Sequence, residues 1–250
     1  MHLQKHSDIG LCVTYADAEK AYDEGKSAAF VAVEGGAVLD ERVENIEKLY
    51  KYGVRVMSFI WNEDNCFGCG AMTKNDTGLT AKGKDVLMLA SQLGMVLDVS
   101  HMSRKSFFDA IDIFDGAVIA THSNCDGVCS HPRNLTDGQI SALLKRGGVI
   151  GINLHAPFVS AAGAFLTKRF SQGMGALLRH YEHICALGGS ENVCIGTDFD
   201  GTKNTICGVK DISDMDKLYS YFRSRGLSEK EADGLFFGNA DRFFKRNLIK

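Results

Sequence analysis

The chain has 250 residues, of which 45% are hydrophobic and 24% charged, with a formal net charge of −3. That composition can bury a sizeable core and excludes disordered, fibrous and collagen-like architectures. No apolar run approaches the roughly 18 residues of a membrane helix. The opening Met1-His2-Leu3-Gln4-Lys5-His6-Ser7-Asp8 lacks the apolar stretch of a signal peptide, and no run of lysines or arginines offers a footprint for nucleic acid or an anionic membrane. The expectation is a cytoplasmic protein that acts on small molecules, with no nucleic-acid or membrane partner. Eight cysteines in a chain neither short nor visibly exported read as free thiols. Cys66-Phe67-Gly68-Cys69 reads as chance spacing, because Cys125 and Cys129 lie far away with a different interval.

Along the chain, short apolar runs rich in β-branched residues alternate with longer segments of helical spacing, the rhythm of βα units and a parallel sheet. A helix-like segment, Asp17 to Glu24, comes first. The strands follow as Ala28 to Val33, Val54 to Ile60, Met95 to Val99, Ala117 to Thr121, Val149 to Asn153 and Val193 to Thr197. All are near-continuously apolar, as strands buried on both faces are. Thr136-Asp137-Gly138-Gln139 and Ser228-Glu229-Lys230-Glu231 fit the helix capping box, and Gly94 and Gly147 stand where helices stop. A helical tail is expected from about Asp214 to Leu248. Only Pro132 and Pro157 interrupt the chain as prolines and no linker appears, so residues 1–250 read as one domain.

An open doubly wound sheet would carry a glycine-rich phosphate turn, which is absent after every strand. A (βα) barrel gathers chemistry at the C-terminal ends of its strands, and the unusual polar residues of this chain fall there. Glu34 ends the first predicted strand in Val33-Glu34-Gly35-Gly36. Asp98-Val99-Ser100-His101 ends the third, Thr121-His122-Ser123 the fourth, and Thr197-Asp198-Phe199-Asp200-Gly201 the last. Each alone reads more readily as a capping or hydrogen-bonded residue than as a ligand; four such ends in one chain point to a metal site. Imidazole and carboxylate suit zinc, which activates a water near neutral pH, and Asp198 could take that water's proton. The reaction class is metal-assisted hydrolysis.

With Arg133-Asn134 behind the histidine strand and a closing Gly238-Asn239-Ala240, these motifs resemble the membrane (renal) dipeptidase family of zinc hydrolases from about Val13 onward. The resemblance implies a metal-dependent-hydrolase barrel of the TIM type with two zinc ions. It makes Glu34 the bridging carboxylate, His101 and His122 ligands of the second zinc, Asp198 the acid/base and Arg133 the residue that receives the dipeptide's carboxylate, a task suited to a planar bidentate fork. It implies a small dipeptide as substrate, with D-residues tolerated at the second position. A wider amidohydrolase acting on cyclic amides shares the chemistry.

The sequence departs from the family in two places. Family members begin with a strand bearing a His-x-Asp pair for the first zinc; no such strand is legible, and about six of the eight βα units are counted. His6-Ser7-Asp8 has the right letters, but it lies in polar, non-strand sequence and only about 26 positions before Glu34. A barrel short of two units would leave open edges. Three accounts stand: a fragment, a barrel completed by a second copy or partner chain, or a non-catalytic remnant with one zinc or none. The second departure is Trp61, where some dipeptidases place a substrate-holding histidine. Tryptophan can neither accept a hydrogen bond nor ionise, so that role is either absent or passed to a neighbour such as Asn62. His131, His155, His180 and His183 read as loop or helix-surface residues, with His155 close behind a strand.

Overall fold

The computed structural model describes residues 7–161 and 170–249. Among them, seven parallel strands run in sequence order: β1 (Ile9–Cys12), β2 (Ser27–Glu34), β3 (Val54–Ser58), β4 (Val96–Asp98), β5 (Val118–Ala120), β6 (Val149–Asn153) and β7 (Val193–Gly196). The helices are α1 (Tyr15–Asp23), α2 (Asn45–Lys51), α3 (Ala81–Gln92), α4 (Arg104–Ile113), α5 (Asp137–Lys145), α6 (Ala156–Val159), α7 (Phe170–Ala186), α8 (Met215–Ser224), α9 (Glu229–Asp233) and α10 (Asn239–Asn247). The fold is α/β, an incomplete TIM-type barrel. The chain clusters into two compact units, residues 1–118 with 243–250 and residues 119–242.

In the first unit, β1 pairs with β2, β2 with β3 and β3 with β4, all parallel. The β2–β3 register slips between Val31 and Ala32, which leaves Arg55 as the extra residue of β3. Its buried guanidinium donates to the carbonyls of Val13, Tyr50 and Val54 and lies over the Tyr50 ring. β3 and β4 are buried throughout, and Ile46, Phe59, Leu87 and Phe107 fill the core around them. In the second unit, β5 pairs with β6 and β6 with β7. Ile140, Leu177, Ile184, Leu218, Phe222 and Leu235 pack there without exposure. No helix among the described residues is long and apolar enough to cross a membrane.

Capping decides the helix limits. Both expected capping boxes form, at Thr136 and Ser228, and a third holds α1, where Thr14 and Asp17 exchange bonds. Gly94 and Gly147 end α3 and α5 with φ of +72° and +65°.

Three expectations are corrected. A seventh strand, β1, adds to the six read from sequence; its Gly10 lies so close to α1 that a Cβ would sit 2.7 Å from that of Ala21. β2 was expected to be buried on both faces, yet Ala32 and Glu34 are exposed. The tail is not one helix, since Gly226 turns the chain with φ of +106° and a π-helical turn, Gly234–Gly238, joins α9 to α10.

Candidate active site

Glu34 closes β2 beside two glycines that the local geometry requires. Gly35 adopts φ of +89° and donates to the carbonyl and the hydroxyl of Ser58 at 3.1 and 3.0 Å. A Cβ on Gly36 would lie 2.5 Å from the Phe59 carbonyl oxygen. The chain therefore turns away immediately after Glu34 and leaves its carboxylate exposed.

His101 reaches the same place from the end of β4. The Asp98 carboxylate accepts from the Ser100 amide at 3.0 Å and hydroxyl at 2.6 Å, a turn that redirects the backbone. The buried His101 ring presents Nε2 to Glu34 Oε1 at 2.6 Å, and its Nδ1 lies 2.9 Å from Asn62 Oδ1. Both ring nitrogens are thus engaged, by Glu34 on the open side and by Asn62 from behind, and an outer residue that fixes the ring in this way is the usual companion of a metal-ligating histidine. Trp61 stacks on the ring with 5.8 Å between centroids and is half exposed.

The nearby Cys66 and Cys69 face different neighbours. The Cys69 thiol is bonded to Asn75 and Thr77, whereas Cys66 feels the charges of Lys82 and Glu41. All eight cysteines are free.

The second unit holds the other sequence-derived residues. His122 follows β5, its Nδ1 2.7 Å from Thr121 Oγ1. Strands β5 to β7 crowd together here: a Cβ on either Gly151 or Gly196 would fall 2.0 Å from the Thr121 carbonyl oxygen. Asp198 follows β7 with a left-handed φ of +57°, and its Oδ2 accepts from Asn153 Nδ2 at 3.2 Å. Arg133 is buried in the loop after β5, its amide donating to His131 Nδ1 at 3.1 Å and its guanidinium 5.4 Å above the Phe158 ring. Asn134 ties that loop down by donating to the carbonyls of Cys129 and Phe158.

Three residues to which sequence reasoning assigns no functional role belong to this region, His131 and His155 reading from sequence as loop or surface residues, with His155 close behind a strand. Asn153 ends an otherwise apolar strand, which was its one visible signal. His155 contacts Phe158 and lies 2.5 Å from Thr202 Oγ1; burial lowers its pKa, and Asp198 pulls it back up. His131 also packs on Phe158 at 4.5 Å, and burial and Arg133 lower its pKa.

His180 is no surface residue: it is fully buried and bridges the Cys125 amide and the Val159 carbonyl. His183 sits partly exposed on α7 against Asp137. Asp8 stands at the start of β1, where Ile9 pairs with Ser27. Glu34 lies seven steps of extended β2 beyond Ser27, placing Asp8 at the opposite end of the sheet, roughly 23 Å from Glu34 at ~3.3 Å per residue. His6 lies outside the described residues.

The sequence profile of the membrane dipeptidase family (peptidase family M19) matches residues 1–249. The chain belongs to this family. It is 32% identical over 243 residues to an uncharacterized protein in the pqqA 5′ region of Klebsiella pneumoniae, covering 95% of this chain and 88% of that one. Its fold matches, with a TM-score of 0.90 and 25% identity, a metallo peptidase from Rhodobacter sphaeroides liganded with a phosphinate mimic of the dipeptide L-Ala-D-Ala, over 98% of this chain and 71% of that one. It also matches dipeptidase AC, an M19 metallo peptidase, with a TM-score of 0.91 and 25% identity, over 100% of this chain and 74% of that one. The chain is a metallodipeptidase by resemblance. The M19 family is metal-dependent, generally with zinc, and the donors of this member fit such an ion: a carboxylate and an imidazole nitrogen already face each other at 2.6 Å, the imidazole oriented from behind by Asn62.

Proposed function

We propose that this chain hydrolyses dipeptides at a metal centre, the ion being zinc, and that Glu34, His101 and His122 hold it. One carboxylate and two imidazoles make a donor set that could hold a metal ion, and these are preferred zinc ligand types. The observation that carries the reading is the Glu34–His101 pair with Asn62 behind it, because a histidine ordered in this way at a strand end is prepared for ligation. When bound, the metal supplies Lewis acidity that acidifies water and polarises a carbonyl.

The chain's own residues do the rest. Arg133, buried and steadied over Phe158, receives the carboxylate of the dipeptide's second residue through its planar fork. Asp198 takes a proton from the attacking water and delivers it to the leaving amine as the C–N bond breaks. Burial lowers the pKa of both His131 and His155, which favours the uncharged imidazole near Arg133.

Replacing Asp198 by Asn tests the assignment. Turnover of a dipeptide panel should fall by about a thousandfold, within the range for loss of a general acid/base, while zinc content by elemental analysis stays that of the parent. Undiminished turnover refutes the role of Asp198.

The position of Asp8 at the far end of β1 favours a second reading, in which this chain holds fewer metals than the two of the complete family site. Elemental analysis of protein purified without chelators separates the two. About two zinc ions per chain would require further ligands from elsewhere in the sequence or from a partner chain. One or none without turnover would make the chain a remnant of the family.

A further inference from the structure

Asp198 sits in a backbone conformation that side chains other than glycine rarely adopt, with φ of +57°. Strain of this kind persists where the surroundings over-determine it, and a closed set of hydrogen bonds does so here. Asn153, fully buried at the end of β6, donates from Nδ2 to Asp198 Oδ2 at 3.2 Å, and its own Oδ1 accepts the His155 amide at 2.6 Å. His155 Nδ1 lies 2.5 Å from Thr202 Oγ1. The amides of Thr202 and Gly201 return to the Asp198 carbonyl at 3.1 and 3.2 Å. Gly201 closes the ring from the other side, since a Cβ there would lie 2.2 Å from Asp198 Oδ1. The backbone of Asn153 is itself fixed by Asn124, which accepts its amide at 2.8 Å and donates to its carbonyl at 3.1 Å.

We infer that Asn153 is the positioning residue for the Asp198 carboxylate, clamping Oδ2 with an uncharged donor while His155 and Thr202 brace the clamp. The inference rests on the acid/base reading of Asp198. The choice of an amide follows from the task. A lysine or arginine in its place would also fix the carboxylate, but its charge would make the group a poorer base. An amide orients the oxygen and carries no charge in either protonation state. Nothing in the Asn153 side chain needs to reach the substrate.

Two variants test this against a merely structural role. Asn153→Ala removes the clamp but keeps both backbone bonds to Asn124. It should lower kcat by about a hundredfold, the penalty of a misplaced catalytic group, with KM within about threefold of the parent. Asn153→Asp keeps the shape and the acceptor for His155 but replaces the donor with a like charge. It should fold as the parent does and move the acid limb of the kcat/KM profile to higher pH by about one unit or more. The carboxyl 13C signal of Asp198, titrated by NMR without substrate, should move the same way, a readout that needs no turnover.

If Asp198→Asn is inactive while both Asn153 variants keep parental kcat, pH profile and carboxyl titration, the positioning role is overturned and the acid/base reading stands. If Asp198→Asn remains fully active, the acid/base reading falls, and the positioning role falls with it.

Discussion

His180 should make the stability of this protein depend on pH in a narrow acidic window. The ring is fully buried on α7; Nδ1 accepts the Cys125 amide at 3.1 Å and Nε2 donates to the Val159 carbonyl at 2.9 Å, which fixes the neutral tautomer. Burial pushes its pKa down from 6.5 to about 4. Above pH 6.5 neither the folded nor the unfolded chain protonates it, and its full contribution to stability is present. As the pH falls from 6.5 towards 4 the unfolded chain takes up a proton that the folded chain refuses, so stability is lost; below about 4 the loss levels off. At about 1.4 kcal/mol per pH unit, an interval of about 2.5 units amounts to about 3 kcal/mol. The assay is urea denaturation followed by circular dichroism at several pH values, for the parent and for His180→Gln, which cannot titrate. The stability advantage of the parent should shrink by about 3 kcal/mol between pH 7 and pH 4. A constant difference across that range would show that the ring is solvated or is already protonated in the fold, and the argument from burial would fail.

Other outcomes follow from packing and burial. Gly196→Ala places a Cβ 2.0 Å from the Thr121 carbonyl oxygen and against the Gly151 backbone, where no side chain can swing aside. It should cost about 1–3 kcal/mol or more in urea denaturation and weaken metal retention through the adjoining His122; parental stability would refute the close approach of these strands. Thr136→Ala removes the capping box of α5 and should cost about 1 kcal/mol, measured as a lower urea midpoint at unchanged slope. Burial raises the Cys125 and Cys194 thiols to about 12. A thiol reagent on the folded protein should therefore modify Cys66, Cys185 and Cys207, the partly exposed cysteines, ahead of the others. Rapid native-state modification of Cys194, located by mass spectrometry, would contradict its burial.

The strands legible from sequence are those whose side chains alone pay the cost of burial. β6 is apolar along nearly its whole length and β3 is apolar apart from Arg55 and Ser58, and both are buried at every position. β1 escaped because Ile9-Gly10-Leu11-Cys12 is short, contains a glycine and follows polar residues; its identity as a strand comes from pairing with β2 and from the fit of Gly10 against α1. The break in the tail escaped because the apolar spacing of α8 resumes in α9 and α10 after Gly226 has turned the chain. His180 was misplaced for a similar reason. Position on an amphipathic helix does not reveal that Cys125 and Val159, 55 and 21 residues away, converge on its two ring nitrogens.

At the candidate site the same division separates what a residue is from what holds it. Glu34, His101, His122 and Asp198 were visible because ionisable side chains recur at the ends of four apolar strands, which capping alone does not explain. Asn62, Asn153 and Thr202 were not visible as supports, since an amide or hydroxyl in a loop is ordinary until its partner is known. Backbone strain marks the difference. The non-glycine residues with positive φ are Asp40, Glu41, Asp198 and Asp200. Asp40 and Glu41 follow a short 3-10 turn, Gly36–Leu39, where a left-handed residue commonly ends a helical segment. Asp198 and Asp200 have no helix to end. Glycine at Asp198 would relieve the conformation, yet a carboxylate stands there and Asn153, Gly201 and Thr202 all hold it. The turn that Gly201 and Thr202 make on the Asp198 carbonyl would be served as well by glycine, whereas a carboxylate that must meet a substrate at a fixed point gives a reason for aspartate there.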